Sequence, residues 1–270
     1  MLARVLARPA QKIAVAFTPK ITVNISRKNF TVRTAETAAD IKDIMRLRYE
    51  VFHREYMGKK FPIGFDFDEH DINADHLMII DNRNQVVVGT YRMILCRSSE
   101  KFYSQAEFNL DQFLLSPGAK LELGRACIKK SYRSGILVHL LWRGISEYIS
   151  RANVEHVFGC SSVKTTDVTD SARLMAALTL AGHTANGFNI SPTAPYTMPG
   201  FDEEYARQLN IGQTLADVAD ILPSLVHAYL SMGGKIHGAP ALDRDYRCID
   251  LLTILPMDHF NERFSKKYLQ

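Results

Sequence analysis

Glu122 and Arg125 stand three positions apart inside an otherwise apolar run, Leu121-Glu122-Leu123-Gly124-Arg125-Ala126-Cys127-Ile128. A charge buried without a partner is costly, so charged residues in such a strand either pair or take part in chemistry. In a regular strand this spacing sends the two side chains to opposite faces. A bulge near Gly124 would bring them round, and would free a backbone amide to receive the oxygen of a thioester carbonyl. Arg92, in the strand expected before this one, is another such charge. The structural reading is an ion network joining Glu122, Arg125 and Arg92 to the acidic loop Asp66-Phe67-Asp68-Glu69-His70-Asp71, and it is compatible with catalysis.

That loop lacks the glycine and the terminal glutamate at EF-hand offsets, which argues against calcium. A pair of its carboxylates can anchor Arg48 from the preceding helix, and the cluster as a whole attracts a cationic amine. Asp66 and Asp75 are expected to serve capping and turn formation. Past the charged strand, Lys129-Lys130-Ser131-Tyr132-Arg133-Ser134-Gly135 leads into a helix. Amides at a helix N-terminus, reached through a glycine turn among basic side chains, bind phosphate well. An ordinary strand–helix turn with solvated basic residues accounts for the same pattern. Nucleophile motifs fail: Gly159-Cys160-Ser161 lacks the second glycine of G-x-S-x-G, and no motif places a histidine. Cys160 reads as a packed core thiol, His139 as a structural histidine, and Trp142 as core or acyl-pocket wall.

These residues need strands and helices to position them. Residues 30–34 alternate as a short strand, and a helix follows from Thr37 or Ala38 with Ile41, Ile44, Met45, Leu47, Arg48 and Phe52 at helical spacing. Strands are expected at His76–Asp81 and Val86–Cys96 around an asparagine-bearing turn, and again at Lys120–Lys129. An apolar helix Ile136–Ser150, a strand Val157–Ser162 and a helix Asp170–Leu180 complete a β-α-β unit. Residues 183–212, rich in Gly, Pro, Asn and Thr, read as irregular. Thr214–Met232 reads as a helix that Pro223 kinks or restarts, followed by a strand Cys248–Leu255 and an amphipathic tail Phe260–Leu269.

With 46% hydrophobic and 23% charged residues, the 270-residue chain has the balance of a globular protein with a real core. No apolar run approaches the ~20 residues of a membrane span, so an integral membrane protein is not expected. Cys96, Cys127, Cys160 and Cys248 are widely spaced, which fits reduced thiols in a cytoplasmic protein rather than a disulfide or zinc framework. The net charge of +4, without a basic-aromatic platform, argues against nucleic acid. Charge is uneven, however: residues 1–35 carry Arg4, Arg8, Lys12, Lys20, Arg27, Lys28 and Arg33 and no acid. Residues 1–29 therefore read as a basic arm suited to peripheral contact with an anionic inner-membrane surface or simply to solvent. Its apolar stretch is too short for a signal peptide, and a transit peptide ranks below a plain surface arm. Residues 30–270 are expected to form one domain.

The ordered run Arg48-Tyr-Glu-Val-Phe52, Asp68-x-x-Asp71, His76-Leu77, Val88-Gly-Thr-Tyr-Arg92 and Glu122-Leu-Gly-Arg125 resembles the acyl-carrier-protein-dependent N-acyltransferases that make lyso-ornithine lipids, a group also labelled hemolysins. The resemblance continues through Phe102-Tyr103, Glu107-Phe108, Leu140-Leu141-Trp142, Phe158-Gly159-Cys160, Leu222-Pro223 and Leu255-Pro256, covering roughly residues 42–265. More distantly the pattern is similar to acyl-homoserine-lactone synthases, whose Arg, Phe, Asp pair, Arg and Glu-x-x-Arg fall on Arg48, Phe52, Asp68, Asp71, Arg92, Glu122 and Arg125. The resemblance implies an α/β GNAT-like fold, a mixed, splayed central sheet flanked by helices, here with a C-terminal helix–strand extension. It also implies a long, plain or 3-hydroxy acyl chain on acyl-carrier protein and the α-amine of ornithine or a similar amino acid as acceptor. No bound cofactor or metal is expected beyond the acyl-phosphopantetheine thioester.

The GNAT phosphate signature is only faint in Tyr132-Arg133-Ser134-Gly135-Ile136-Leu137, which suits a carrier protein better than acyl-CoA. Lys129, Lys130, Arg133, Ser134 and Gly135 are then the donor-binding residues, with Arg143 and Arg151 as further docking charges for an acidic carrier. An amine attacks a thioester only as the free base, so a carboxylate must take its proton; Glu122 is the expected general base, with Arg125 beside it. Arg48, Phe52, Asp68, Asp71, Arg92 and Trp142 are expected to shape the substrate site, and Phe52, Phe67, Trp142 and Phe158 to line an acyl pocket. The rival readings are an N-acyl amino acid or acyl-homoserine-lactone synthase and, from another class, a non-catalytic acyl- or membrane-binding protein.

Overall fold

The computed structural model describes residues 18–60, 62–96, 101–133 and 135–257. In chain order the strands are β1 (Asn24–Arg27), β2 (Phe30–Thr34), β3 (Asp75–Asp81), β4 (Val86–Leu95), β5 (Phe108–Asn109), β6 (Ala119–Ile128), β7 (Val154–Val163), β8 (Thr184–Ala185), β9 (Ser191–Pro192), β10 (Lys235–His237), β11 (Ala241–Asp243) and β12 (Cys248–Pro256). The α-helices are α1 (Ala38–Arg48), α2 (Asp111–Leu115), α3 (Gly135–Ala152), α4 (Val168–Leu180), α5 (Phe201–Ile211) and α6 (Ser224–Ser231). Strand β1 falls inside the stretch expected as an arm, and Val23 just before it is fully buried. The tail Phe260–Leu269 lies outside the described residues. No described helix is long and apolar enough to cross a membrane.

The described chain forms two compact units, one built from residues 18–96 and 121–154, the other from 101–120 and 155–257. In the first, β1, β2, β3, β4 and β6 pair in that order, antiparallel throughout. Strand alternation assigns a helix to each face. Val32 and Leu77 point toward α3, so closely that a Cβ on Gly144 would sit 2.7 Å from Val32 Cγ1 and 2.9 Å from Leu77 Cδ2. Met78, one residue on, points the other way and packs with Ile41, Ile44 and Met45 of α1. Thr37 starts α1 with a reciprocal cap: its hydroxyl accepts from the Asp40 amide at 3.1 Å, and Asp40 Oδ2 accepts from the Thr37 amide at 3.0 Å.

In the second unit β7 pairs antiparallel with β12, β12 with β10 and β11, and β10 runs parallel to β8. Val163, Ile249 and Leu251 present an apolar face that packs with Ala172, Leu174 and Leu178 of α4, Phe201 of α5 and Leu230 of α6. Two sequence expectations change here. Residues 183–212 are not irregular: they hold β8, β9 and α5, whose Phe201 is buried and whose helix ends at Gly212 in the left-handed region, φ 81°. Within Thr214–Met232 the restart at Pro223 is found as expected, but the stretch before it is not an α-helix. A short 3-10 turn at Ala216–Val218 precedes α6, and Pro223 stands as the residue that caps α6, because proline tolerates a helix start but not its interior.

Candidate active site

Helix α1 ends at Arg48 and continues as a π-helical turn, Tyr49–Tyr56. The wider turn stacks Tyr49 on His53, ring centroids 5.5 Å apart, and presents Phe52 and His53 beside the acidic loop. Arg48 is wholly buried. Its Nε donates to Asp66 Oδ1 at 2.6 Å, and its two terminal nitrogens grip Asp71 at 2.7 and 3.1 Å. A terminal nitrogen also pairs with Asp66, and His53 Nε2 lies 2.9 Å from Asp66 Oδ2. Asp66 is therefore a core ion-pair partner rather than a turn residue. Asp75 likewise accepts from the amides of Lys20 and Ile21 and from the Tyr148 hydroxyl at 2.8 Å, tying the chain start to α3. The capping role belongs instead to Asp68, which accepts from the His70 amide at 2.9 Å while Asp71 Oδ2 accepts from the Asp68 amide at 2.8 Å.

Arg92 lies opposite His76 on β3 and opposite Gly124 on β6, hence on the α1 face with Glu122. Its guanidinium passes 3.8 Å from where a Gly124 Cβ would stand and donates to both oxygens of Asp68 at 2.6 and 2.7 Å and to Asp71 at 3.3 Å. On β6 the register then slips: Gly124 faces Arg92, but Cys127 faces Thr90, so Arg125 and Ala126 together oppose Tyr91. This is a bulge of the kind that would bring the two side chains round, one residue later than Gly124, and Arg125 takes the left-handed φ of 49° to make it. The bulge turns Arg125 onto the Arg92 face, where its NH2 reaches Asp68 Oδ2 at 3.0 Å and its guanidinium carbon stands 6.0 Å over the Phe52 ring.

Three guanidiniums and three aspartates thus balance one another in a largely buried network, Arg48, Arg92 and Arg125 against Asp66, Asp68 and Asp71. Burial opposes charge at Arg48, but Asp71 and Asp66 outweigh it and raise the guanidinium further. Burial likewise opposes Asp66 and Asp71, yet Arg48, with Arg125 and Arg92, holds both carboxyls well below the usual carboxylate range. His76, fully buried 3.8 Å from Asp71, is pushed down to about 4 by burial and stays neutral near neutrality. Burial pushes the Cys127 thiol up to about 12. Glu122 sits in this setting, 2% exposed, two residues before Gly124 on the same face.

The other expected residues are placed less uniformly. Trp142 is fully buried on α3, which covers the opposite face, so it is not part of the charged cluster. Phe67 packs with the α1 core, and Phe158 lies in the second unit edge-on to Phe102 and Phe113 at 4.9 and 5.0 Å. The basic turn is pinned: the Lys129 amide donates to Val88 at 2.8 Å, Tyr132 Oη to Asp81 at 3.1 Å, and Arg133 clasps both oxygens of Glu55 at 2.6 and 2.8 Å. Lys130 and Gly135 are exposed, Lys129 is partly so, and Ser134 lies outside the described residues. Arg151 is engaged by Glu147 and by the Thr22 carbonyl. His53 completes the network without having been singled out for it; its signal was a position about one turn beyond Arg48 on the same helix.

Residues 47–143, which carry this whole network, match a family model described as an acetyltransferase (GNAT) domain. Over 251 residues the chain is 30% identical to a protein of Brucella abortus named L-ornithine N(alpha)-acyltransferase, covering 88% of each. The chain belongs to this acyltransferase family. A second member, the L-ornithine N(alpha)-acyltransferase of Rhizobium meliloti, is 28% identical over 89% of this chain and 84% of its own. Among solved structures FeeM, an N-acyl amino acid synthase from uncultured soil microbes, aligns over 90% of this chain and 96% of its own at 10% identity with a TM-score of 0.47, a likeness too loose to carry an argument. As a family member the chain is an acyltransferase with a GNAT domain, a mixed α/β fold, and the Arg–Asp network and the bulged strand are features of that domain in this chain.

Proposed function

We propose that this acyltransferase moves a long acyl chain from the phosphopantetheine thioester of an acyl-carrier protein to the α-amine of L-ornithine or a closely similar amino acid. The observation that carries the reading is the buried Glu122 beside the β6 bulge, within a chain 30% identical to an L-ornithine N(alpha)-acyltransferase. The acceptor arrives as an ammonium ion, and Glu122, directly or through water, takes one proton so that the nitrogen lone pair becomes available. The amine attacks the thioester carbon, an amide freed by the bulge at Arg125–Ala126 steadies the tetrahedral oxyanion, and the C–S bond breaks as the C–N bond is kept. Glu122 gives the proton it took to the departing thiolate, and the second proton left on nitrogen passes to the freed carboxylate and on to solvent. Arg48, Arg92 and Arg125 with Asp68 and Asp71 hold the acidic loop against the bulged strand, and Phe52 borders it.

The donor side rests on the turn after β6. Lys129, Lys130, Arg133 and Gly135 suit an acidic carrier protein with a single phosphate better than a nucleotide, since the turn has no run of glycines. Incubating the protein with acyl-carrier protein or acyl-CoA bearing the same chain, and a panel of amino acids, and then weighing the products tests the reading. Acyl-ornithine formed faster from carrier protein is expected. Glu122→Gln should lower kcat ~10²–10⁴-fold with donor KM and folding unchanged, the scale of a lost general base; near-normal turnover would remove Glu122 from that role.

A further inference from the structure

Three chain segments meet at one end of the first unit. The Asn82 amide of the β3–β4 turn donates to the Asn29 carbonyl of the β1–β2 hairpin at 2.8 Å, and Thr31 Oγ1 donates to Asn82 Oδ1 at 3.1 Å. From the same turn Asn84 Nδ2 donates to Tyr132 Oη at 3.3 Å, which joins the hairpin to the basic turn after β6. Helix α3 starts from that basic turn and runs back along β1. Arg151, at its far end, donates from Nη1 to the Thr22 carbonyl at 2.7 Å. Midway, Gly144 lies against Val32, which faces Ile25 across the strand pair. From Arg151 to His139 the helix rises ~18 Å, and from Thr22 to Arg27 the strand extends ~17 Å, so Arg27 arrives beside His139. Strand alternation puts Arg27 with Ile25 on the α3 side of β1.

Charge at this end is one-sided. Asp81 is matched by Arg83 at 3.2 Å and Glu55 by Arg133 at 2.6 Å. Arg27, Lys28, Lys129, Lys130 and Arg143 make no ion pair among the described residues. Arg27, Lys28 and Lys130 are exposed, and Lys129 and Arg143 partly so. The His139 imidazole registers two of them: burial, then Arg27 and Arg143, push it down. Ile136, His139 and Arg143 are spaced to share one outward stripe of α3, while Leu137, Leu140, Leu141 and Gly144 are buried behind it. Ile136 is 66% exposed, an apolar side chain left in water at the end where the unmatched cations gather.

We propose that the β1–β2 hairpin tip and the outward stripe of α3 form the docking surface for the protein body of the acyl donor, with Arg27, Lys28 and Arg143 pairing with its carboxylates and Ile136 seated on an apolar side chain among them. The surface rests on the reading that the donor is an acidic carrier protein. Arg143 is a docking charge expected from the sequence; the hairpin tip and Ile136 are what the fold adds to it. A phosphopantetheine arm tethers its carrier to the mouth of the phosphate-binding turn, so the carrier body lies against whatever flanks that turn, here the hairpin and the first turns of α3. An apolar centre within a charged rim is the pattern of a protein interface. A bilayer gains little from one isoleucine, and cations on any other face would serve it as well.

Steady-state kinetics of the full chain test this, with the same acyl chain carried either by the carrier protein or by pantetheine alone, which reaches the turn without a protein body. Arg27→Glu combined with Arg143→Glu should lower kcat/KM for the carrier-borne chain about tenfold or more relative to the pantetheine-borne one, through KM, and the loss should shrink as salt is raised. Ile136→Ser should lower the same ratio several-fold with little dependence on salt. All three side chains are at the surface, and the pantetheine donor reports folded enzyme in every variant. Equal losses with the two donors, or a loss in the charge variant that salt does not relieve, would overturn the surface. So would lost binding to vesicles of phosphatidylglycerol and phosphatidylcholine with the carrier ratio intact, which would make this a membrane contact. A wild type that prefers the carrier while the variants keep that preference sinks this surface alone. A wild type that takes both donors equally sinks the carrier reading with it.

Discussion

Arg48→Met removes the centre of the buried network while keeping an apolar side chain of similar length. Arg48 is wholly buried, grips both oxygens of Asp71 at 2.7 and 3.1 Å and pairs with Asp66 at 2.6 Å. Taking one partner from a buried ion pair costs about 3–5 kcal/mol, because the remaining charge is left desolvated. Arg92 stays on Asp71 at 3.3 Å and Arg125 near Asp66 at 3.4 Å, so some compensation remains. We expect a loss of about 4 kcal/mol at pH 7.5, which at ~2–4 °C per kcal/mol for a protein of this size lowers Tm by ~8–16 °C.

The sign with pH is also fixed. In the wild type Asp66 and Asp71 are held below their unfolded values, so the stability they add is present above about pH 4 and is lost as pH falls through the folded values. In the variant burial is no longer outweighed, and the same carboxyls rise above their unfolded values. The variant then recovers as pH falls through those raised values, and the gap to wild type narrows toward pH 4. Urea unfolding at pH 7.5 and pH 4, followed by the fluorescence of Trp142, the single tryptophan and fully buried, measures both. A loss under about 1 kcal/mol, or a gap that does not narrow in acid, would refute the reasoning.

Gly144→Ala places a methyl 2.7 Å from Val32 Cγ1 and should cost about 1–3 kcal/mol in thermal unfolding with kcat of the remaining folded enzyme unchanged. Arg133→Ala breaks a half-exposed pair with Glu55 and should change stability by less than about 1 kcal/mol. The same change should raise KM for acyl-carrier protein several-fold, more at low salt than at high, with kcat kept; an unaltered KM would take Arg133 out of carrier docking.

Much of the first unit could be read from the chain. Apolar spacing gave the helix that carries Arg48 and the strands around it, because period 3.6 and period 2 are local properties. The buried charges of β6 pointed to partners or work, and the bulge raised as one way to reconcile their faces is seen in the β4–β6 register. Where the reading failed, the reason was long-range packing. Residues 201–211 form a helix because Phe201 joins a core built by α4 and β12, although their surroundings are rich in turn formers. Before Pro223, Ala216–Val218 is a 3-10 turn rather than the expected helix, while the restart at Pro223 was legible from the proline itself.

The sequence by itself determined the family, the charged strand centred on Glu122 and Arg125, and the identity of the network's arginines, because these lie in motifs whose order survives without coordinates. Only the tertiary structure decided which aspartate meets which arginine, that Trp142 belongs to the other sheet face, and that Arg27 comes alongside His139. Arg27 and His139 are far apart in the chain, and their proximity is set by a strand register and a backbone contact to Thr22 that no local pattern encodes. The altered acidity of Asp66 and Asp71 exists only once burial and neighbouring charge act on them together.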